Sequence, residues 1–172
     1  MFTTNEAHEG TRSQYIVSTT STDMGTTWSE PVAIEPPSER EASWAMPLMT
    51  RYGRLYVFYV FNGGNVRTLP DGTAMRADTH GWYCYKYSDD NGATWSERRR
   101  LPMRVTACDR GNEFEGEVQY FWGIGKPITF EDTAWFAFTK LARYFLEDGE
   151  GWFYRSDNVL TETDPDKVVW KL

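Results

Sequence analysis

Two runs in this chain hold apolar residues with almost no polar interruption: Leu55-Tyr56-Val57-Phe58-Tyr59-Val60-Phe61 and Ala134-Trp135-Phe136-Ala137-Phe138-Thr139. Short runs rich in aromatic and β-branched residues read as strands, and the lack of polar alternation reads as burial on both faces. Each run follows a tight polar turn, Arg51-Tyr52-Gly53-Arg54 or Glu131-Asp132-Thr133. Each turn follows another strand candidate, Trp44 to Thr50 or Lys126 to Phe130. A further strand, Trp82 to Ser88, places Tyr83, Tyr85 and Tyr87 on one face, and another is expected near Arg98 to Met103. No segment sustains a helical period, and Leu141 to Leu146 is the ambiguous stretch. The pattern predicts an all-β chain of short antiparallel strands.

Between these strands one signature recurs. Ser21-Thr22-Asp23-Met24-Gly25-Thr26-Thr27-Trp28 and Ser88-Asp89-Asp90-Asn91-Gly92-Ala93-Thr94-Trp95 both read Ser-x-Asp-x-Gly-x-Thr-Trp, and both continue into Ser-Glu. A Ser and an Asp two residues apart can each accept hydrogen bonds from nearby backbone N–H groups and so close a compact turn. Gly25 and Gly92 supply a left-handed backbone that a Cβ would resist. Trp28 and Trp95 are expected to fold back as apolar plugs whose indole N–H finds an acceptor. Ser21 and Ser88 lie 67 residues apart, and Ser88 and Ser156 lie 68 apart. At the third position the chain reads Ser156-Asp157-Asn158 without the glycine, a degenerate copy. A fixed period of this kind marks stacked repeat units.

The signature resembles the Asp-box, or BNR repeat, of the sialidase (neuraminidase) superfamily. The resemblance implies a β-propeller, with the boxes as structural turns on the outer edge of each blade: Ser21, Asp23, Gly25 and Trp28 in one, and Ser88, Asp90, Gly92 and Trp95 in the other. Laid on the strand pattern, it gives a partial six-bladed β-propeller of about two and a half four-stranded antiparallel blades. Residues 1–43 end one blade and supply its third and fourth strands, residues 44–103 form a full blade, and residues 104–172 form the next. Closed propellers have 4–8 blades, and a six-bladed ring at this spacing needs roughly 400 residues. The chain is therefore expected to be a piece of a longer propeller, or to close a ring by association of copies through its exposed blade edges.

Net charge is −7, which argues against nucleic acid or anionic membranes as partners. Arg98-Arg99-Arg100 is read as a solvated strand edge. Two cysteines, Cys84 and Cys108, give no disulfide framework, and two histidines, His8 and His80, are too few for a zinc site, so no metal or cofactor is expected. No apolar stretch is long enough to span a membrane, and the Met1-Phe2-Thr3-Thr4 start is not that of a signal peptide, which leaves localisation open.

Long polar loops are where chemistry is expected, because structureless connections of such length usually carry function. Four qualify: Met1 to Arg12, Glu35 to Ser43, Asn62 to Gly81, and Val105 to Gly125, with a shorter fifth from Ala142 to Gly149. Their substrate-binding candidates are Arg40, Arg67, Arg76, Asp78, His80, Asp109 and Arg110. Guanidinium groups bind a carboxylate bidentately, and a carboxylic acid can protonate a departing glycosidic oxygen. The resemblance implies an exo-acting hydrolase of terminal sialic acid or a related acidic sugar on glycans, working through an Arg triad and a Tyr nucleophile. It also implies an acid/base Asp in the stretch before the first box. Here Met1 to Gln14 holds no Asp, so Glu6 and Glu9, with His8 third, take that place as candidates. The family's first Arg, its Phe-Arg-Ile-Pro motif, the nucleophilic Tyr and the last Arg have no counterpart here, so no catalytic residue is assigned by motif. Two other readings remain open: a non-catalytic propeller binding carbohydrate or protein, and a glycosidase of different specificity. Trp82 and Trp122 flank the loops and could stack on a sugar ring, although core packing is the plainer reading.

Overall fold

The computed structural model describes residues 1–144 and 148–172. The last part of the ambiguous 141–146 stretch, and part of the fifth loop, lie outside the described residues. Three antiparallel sheets make up the chain. The first contains β1 (Phe2–Thr4), β2 (Tyr15–Ser18) and β3 (Val32–Glu35). The second contains β4 (Ala42–Met49), β5 (Leu55–Phe61), β6 (Trp82–Ser88) and β7 (Arg99–Arg100) in that order. In the third, β10 (Thr133–Leu141) pairs on one side with β11 (Glu150–Ser156) and on the other with both β8 (Tyr120–Trp122) and β9 (Ile128–Phe130).

The unbroken apolar run of β5 has the cause that its pattern suggested. Tyr56, Phe58 and Val60 face the third sheet and pack with Phe121, Phe136, Phe138 and Tyr154. Val57, Tyr59 and Phe61 face the first sheet and pack with Ile16, Ile34 and Ala42. The middle sheet is thus buried on both sides, which is why its central strand carries no polar alternation. Tyr83, Tyr85 and Tyr87 share the aromatic core toward the third sheet, with Phe58 and Phe136 ring centroids 4.5 Å apart. Glu35 at the end of β3 clamps the first two sheets together. Its carboxylate accepts from Tyr59 Oη at 2.6 Å and from Arg98 at 2.9 Å.

Both Ser-x-Asp-x-Gly-x-Thr-Trp turns are built alike. Ser Oγ donates to the Asp carboxylate (2.8 Å for Ser21, 2.7 Å for Ser88) and accepts the Gly N–H at 2.8 Å in each copy. The Asp in turn accepts from the Thr N–H and hydroxyl. These bonds, led by the Thr hydroxyl, hold Asp23 and Asp90 down to a pKa of about 2. Gly25 and Gly92 have φ of 87° and 88°, as their place in the turn requires. The degenerate copy keeps Ser156 Oγ as acceptor for Val159 N–H at 3.1 Å. Trp28 does not behave as a plug: its indole N–H donates to Gly25 O at 3.1 Å, but the side chain is exposed. Trp95 packs against the core between the first two sheets as a plug, but its buried indole N–H finds no acceptor among the described residues, contrary to expectation.

Four expectations need correction. The first sheet has three strands, not two, because Phe2–Thr4 pairs with β2 in a stretch that reads as polar loop. The strand expected at Lys126 to Phe130 is interrupted, with Tyr120–Trp122 as its unforeseen first half. A four-residue helix, α1 (Ala107–Arg110), sits in the loop before it. Of the Arg98-Arg99-Arg100 run, Arg98 and Arg99 are paired to Glu35 and Asp166 and only part-exposed, so the run is not simply a solvated edge. Cys84 and Cys108 are both buried and free, and burial pushes the Cys84 thiol up to about 12.

Candidate functional site

The long loops converge on one rim. Ala77 N–H bonds Gly10 O at 3.1 Å, which ties the loop after β5 to the loop after β1. Gly81 N–H bonds Gln119 O at 3.2 Å and Phe121 N–H bonds Thr79 O at 3.0 Å, which ties the same loop to the third sheet. Arg76 N–H donates to Tyr144 Oη at 2.7 Å, and Tyr144 N–H in turn faces the Glu113 carboxylate at 3.2 Å. Tyr120 packs between Phe114 and Tyr144, and its phenol is pushed well above the ordinary range by burial and by the neighbouring Glu113.

A cleft of about 530 Å³ opens on this rim between β1, the start of β4 and Asp78. Its position follows from a break in β4. Pairing with β5 shifts register between Ser43 and Met46, and Trp44 takes a left-handed φ of 64°. Such a conformation is costly for a bulky residue and persists only where contacts hold it. Here Trp44 N–H donates to Thr3 Oγ1 at 3.0 Å and its indole N–H to Asp78 O at 2.9 Å. Trp44 meets Trp122, which lies at the matching break of the third sheet, edge to face at 6.5 Å.

Beside the cleft, Arg76 is held by two carboxylates. Asp78, fully buried, takes a bidentate grip at 2.9 and 2.7 Å, and Glu9 accepts at 2.6 Å. Both raise the Arg76 pKa further, Asp78 more strongly. A side chain at Gly10 would put its Cβ 2.7 Å from Arg76 Nε, so a glycine makes room for the guanidinium. Glu9 and Asp78 both line the cleft, together with Asn5, Gln14, Ser43 and Trp44. The lining is therefore a set of hydroxyl, amide and carboxylate groups beside two aromatic rings, Phe2 and Trp44, suited to a small polyhydroxy ligand.

The remaining candidates fall into separate groups. Arg67 forms an ion pair with buried Glu41, which also accepts from Asn62 at 3.1 Å and Ser13 N–H at 3.2 Å. His80 lies next to this group, with Nε2 3.1 Å from Val66 O; a carbonyl only accepts, so Nε2 carries the proton. Its Nδ1 is buried without a partner among the described residues, and burial lowers its pKa. Asp109 is buried against Lys140, with Gln119 at 3.2 Å and Thr106 N–H at 2.7 Å. Arg40, Arg110, Glu6 and His8 are exposed on the surface, and none of them lines the cleft. Trp82 packs on Phe61 and over Gly63, as core packing anticipates. Trp44 was not foreseen as a site residue. Its signal was available: Trp44-Ala45 precedes Pro47 as Trp122-Gly123 precedes Pro127, a small residue after Trp where each inner strand breaks. Among the described residues no cluster of His, Cys, Asp and Glu is arranged to hold a metal ion.

No protein-family model matches the chain, and no curated protein matches it. Among solved structures it is similar to a Hadza microbial sialidase, Hz136, with a TM-score of 0.60 and 19% identity, over 95% of this chain and 32% of that one. A protein of unknown function from Dyadobacter fermentans overlaps with a TM-score of 0.49 and 15% identity, over 93% of this chain and 33% of that one. The chain thus spans about a third of the sialidase's length, and at this identity the likeness is one of fold: three antiparallel sheets in a sialidase-like arrangement.

Proposed function

We propose that this chain is part of a sialidase-like exo-glycoside hydrolase acting on terminal sialic acid or a related acidic sugar. Within that reading the three sheets are neighbouring blades of a six-bladed propeller, and the two Ser-x-Asp turns are Asp-boxes on its outer edge. The observation that carries the reading is the cleft lined by Glu9 and Asp78, with Arg76 bound to both beside it, on the rim formed by the long loops of a sialidase-like fold. Glu9 is the acid/base candidate in preference to Glu6, because Glu9 lines the cleft and Glu6 does not. Arg76 is the candidate contact for the substrate carboxylate, with Asp78 fixing its orientation.

A second reading, a carbohydrate-binding propeller without catalysis, is favoured by one observation. Two carboxylates already engage Arg76, so the group is net negative, the wrong sign to attract an acidic sugar. Hydrolysis of a fluorogenic sialoside by the whole protein separates the two. The enzyme reading predicts turnover that falls at least about a hundredfold in Arg76→Ala and in Glu9→Gln. Binding of sialoside or neutral glycan with no turnover supports the second reading, and turnover unchanged in both variants removes this cleft from the reaction.

A further inference from the structure

Away from that cleft, the outer strand of the middle sheet and the segment after it carry two arginines in an unusual state. The Arg100 guanidinium lies over the Trp82 ring at 4.8 Å from the centroid, and Arg104 lies over Trp152 at 4.7 Å. Both side chains are exposed and line one groove of about 600 Å³ with Pro102, Met103 and Leu172. Among the described residues neither makes an ion pair. Arg51, Arg54, Arg67, Arg76, Arg98, Arg99 and Arg155, by contrast, each bind a carboxylate, and among the described residues the unpaired Arg12, Arg40 and Arg110 stack on no ring.

The stacking platforms are themselves fixed. A Cβ at Gly63 would come within 2.4 Å of Trp82, so that indole is pressed against the backbone there. Trp152 donates from Nε1 to Glu150 Oε2 at 2.8 Å, and Arg104 O is anchored by Lys140 Nζ at 2.6 Å and Gln119 Nε2 at 3.1 Å. Glu150, two residues from Trp152, turns its carboxylate to Trp152 Nε1 and to Cys108 N–H at 3.0 Å. A guanidinium held over an indole by cation–π attraction is positioned without using up its N–H donors on a carboxylate. Two of them over an apolar floor complement a ligand that joins a carboxylate to the apolar face of a sugar ring.

We propose that this groove is a second carbohydrate subsite, taking a carboxylated sugar within an oligosaccharide, with Arg100 and Arg104 as its anion contacts. It stands independently of the reaction proposed for the rim cleft. The test is calorimetric titration of the protein with sialyllactose, trigalacturonate, lactose and sodium sulfate. It compares the parent with Arg100→Ala, Arg104→Ala, the double variant and the rim variant Arg76→Ala. The subsite predicts that at least one carboxylated sugar binds and lactose does not. Each single groove substitution should weaken that binding about tenfold, the double should abolish it, and Arg76→Ala should leave this binding event in place. Melting temperatures should be unaffected, since both side chains are on the surface. The proposal is overturned if no carboxylated sugar binds, if sulfate binds as tightly as the sugars, or if binding disappears with Arg76→Ala and survives the double variant. That last outcome would assign the sugar to the rim cleft alone. Sialoside turnover, read separately, reports on the rim cleft whatever the groove does.

Discussion

Ser88 and Ser21 hold the same place in two copies of one turn and differ in their surroundings. Ser88 is 1% exposed and accepts a buried glycine N–H, whereas the Ser21 turn is open to water. A donor stranded in the interior costs more than one that water can reach, so Ser88→Ala should destabilise by about 1–3 kcal/mol and Ser21→Ala by less than about 1 kcal/mol. Urea unfolding of the two variants checks this, and equal losses would contradict it. His80 adds a pH dependence. Burial lowers its pKa, so the unfolded chain binds that proton more readily than the folded one. Its contribution is therefore complete above about pH 6.5 and is lost as pH falls through the lowered folded value. The urea midpoint should drop between pH 7 and pH 5, and a His80→Gln variant with the same slope would assign the effect elsewhere. The motif residues were legible because their chemistry is local: a Ser, an Asp and a Gly close a turn wherever they stand. Arg76, Asp78 and Glu9 were legible only as loop residues, since the ion pairs that join them span 67 positions between Glu9 and Arg76.

At the scale of elements, β5 and β6 were read residue for residue, because they are long, apolar and bounded by clear turns, whereas β4 starts two residues before Trp44 and β7 covers only Arg99–Arg100 of the strand expected near Arg98 to Met103. The inner strands were harder. Each is broken after a tryptophan, so periodicity found only the part beyond the break in the third sheet and missed the short apolar segment Tyr120–Trp122. β1 escaped notice because Phe2-Thr3-Thr4 is too short and polar to form a pattern, and its pairing with β2 is non-local. The break in the third sheet is sterically enforced. A Cβ at Gly125 would sit 2.2 Å from Ala137 O, in the backbone of the adjoining strand. Gly125→Ala should cost about 2–4 kcal/mol by forcing the two halves apart, and a melting temperature near the parent's would show that the break tolerates a side chain.

Over the whole molecule, three sheets share two apolar layers, and the middle sheet is the common wall of both. Phe136 sits where the second and third sheets meet, with Phe58 at 4.5 Å, Tyr154 at 5.2 Å and Trp170 at 5.8 Å. Phe136→Ala should cost about 3–5 kcal/mol, with near-ultraviolet and far-ultraviolet signals still lost together, because neither sheet has a separate core on that side. Two separated transitions would mean that the sheets are independent. The layered stacking also brings three sets of loops to one rim, and the account of function rests on that rim. The most direct measurement is a crystal structure of the whole protein soaked with a non-hydrolysable sialic acid analogue. The account predicts ligand density in the cleft, with the sugar over Trp44 and its polar groups within hydrogen-bond reach of Glu9 and Arg76. Density confined to another place, with this cleft empty at saturating analogue, would contradict it.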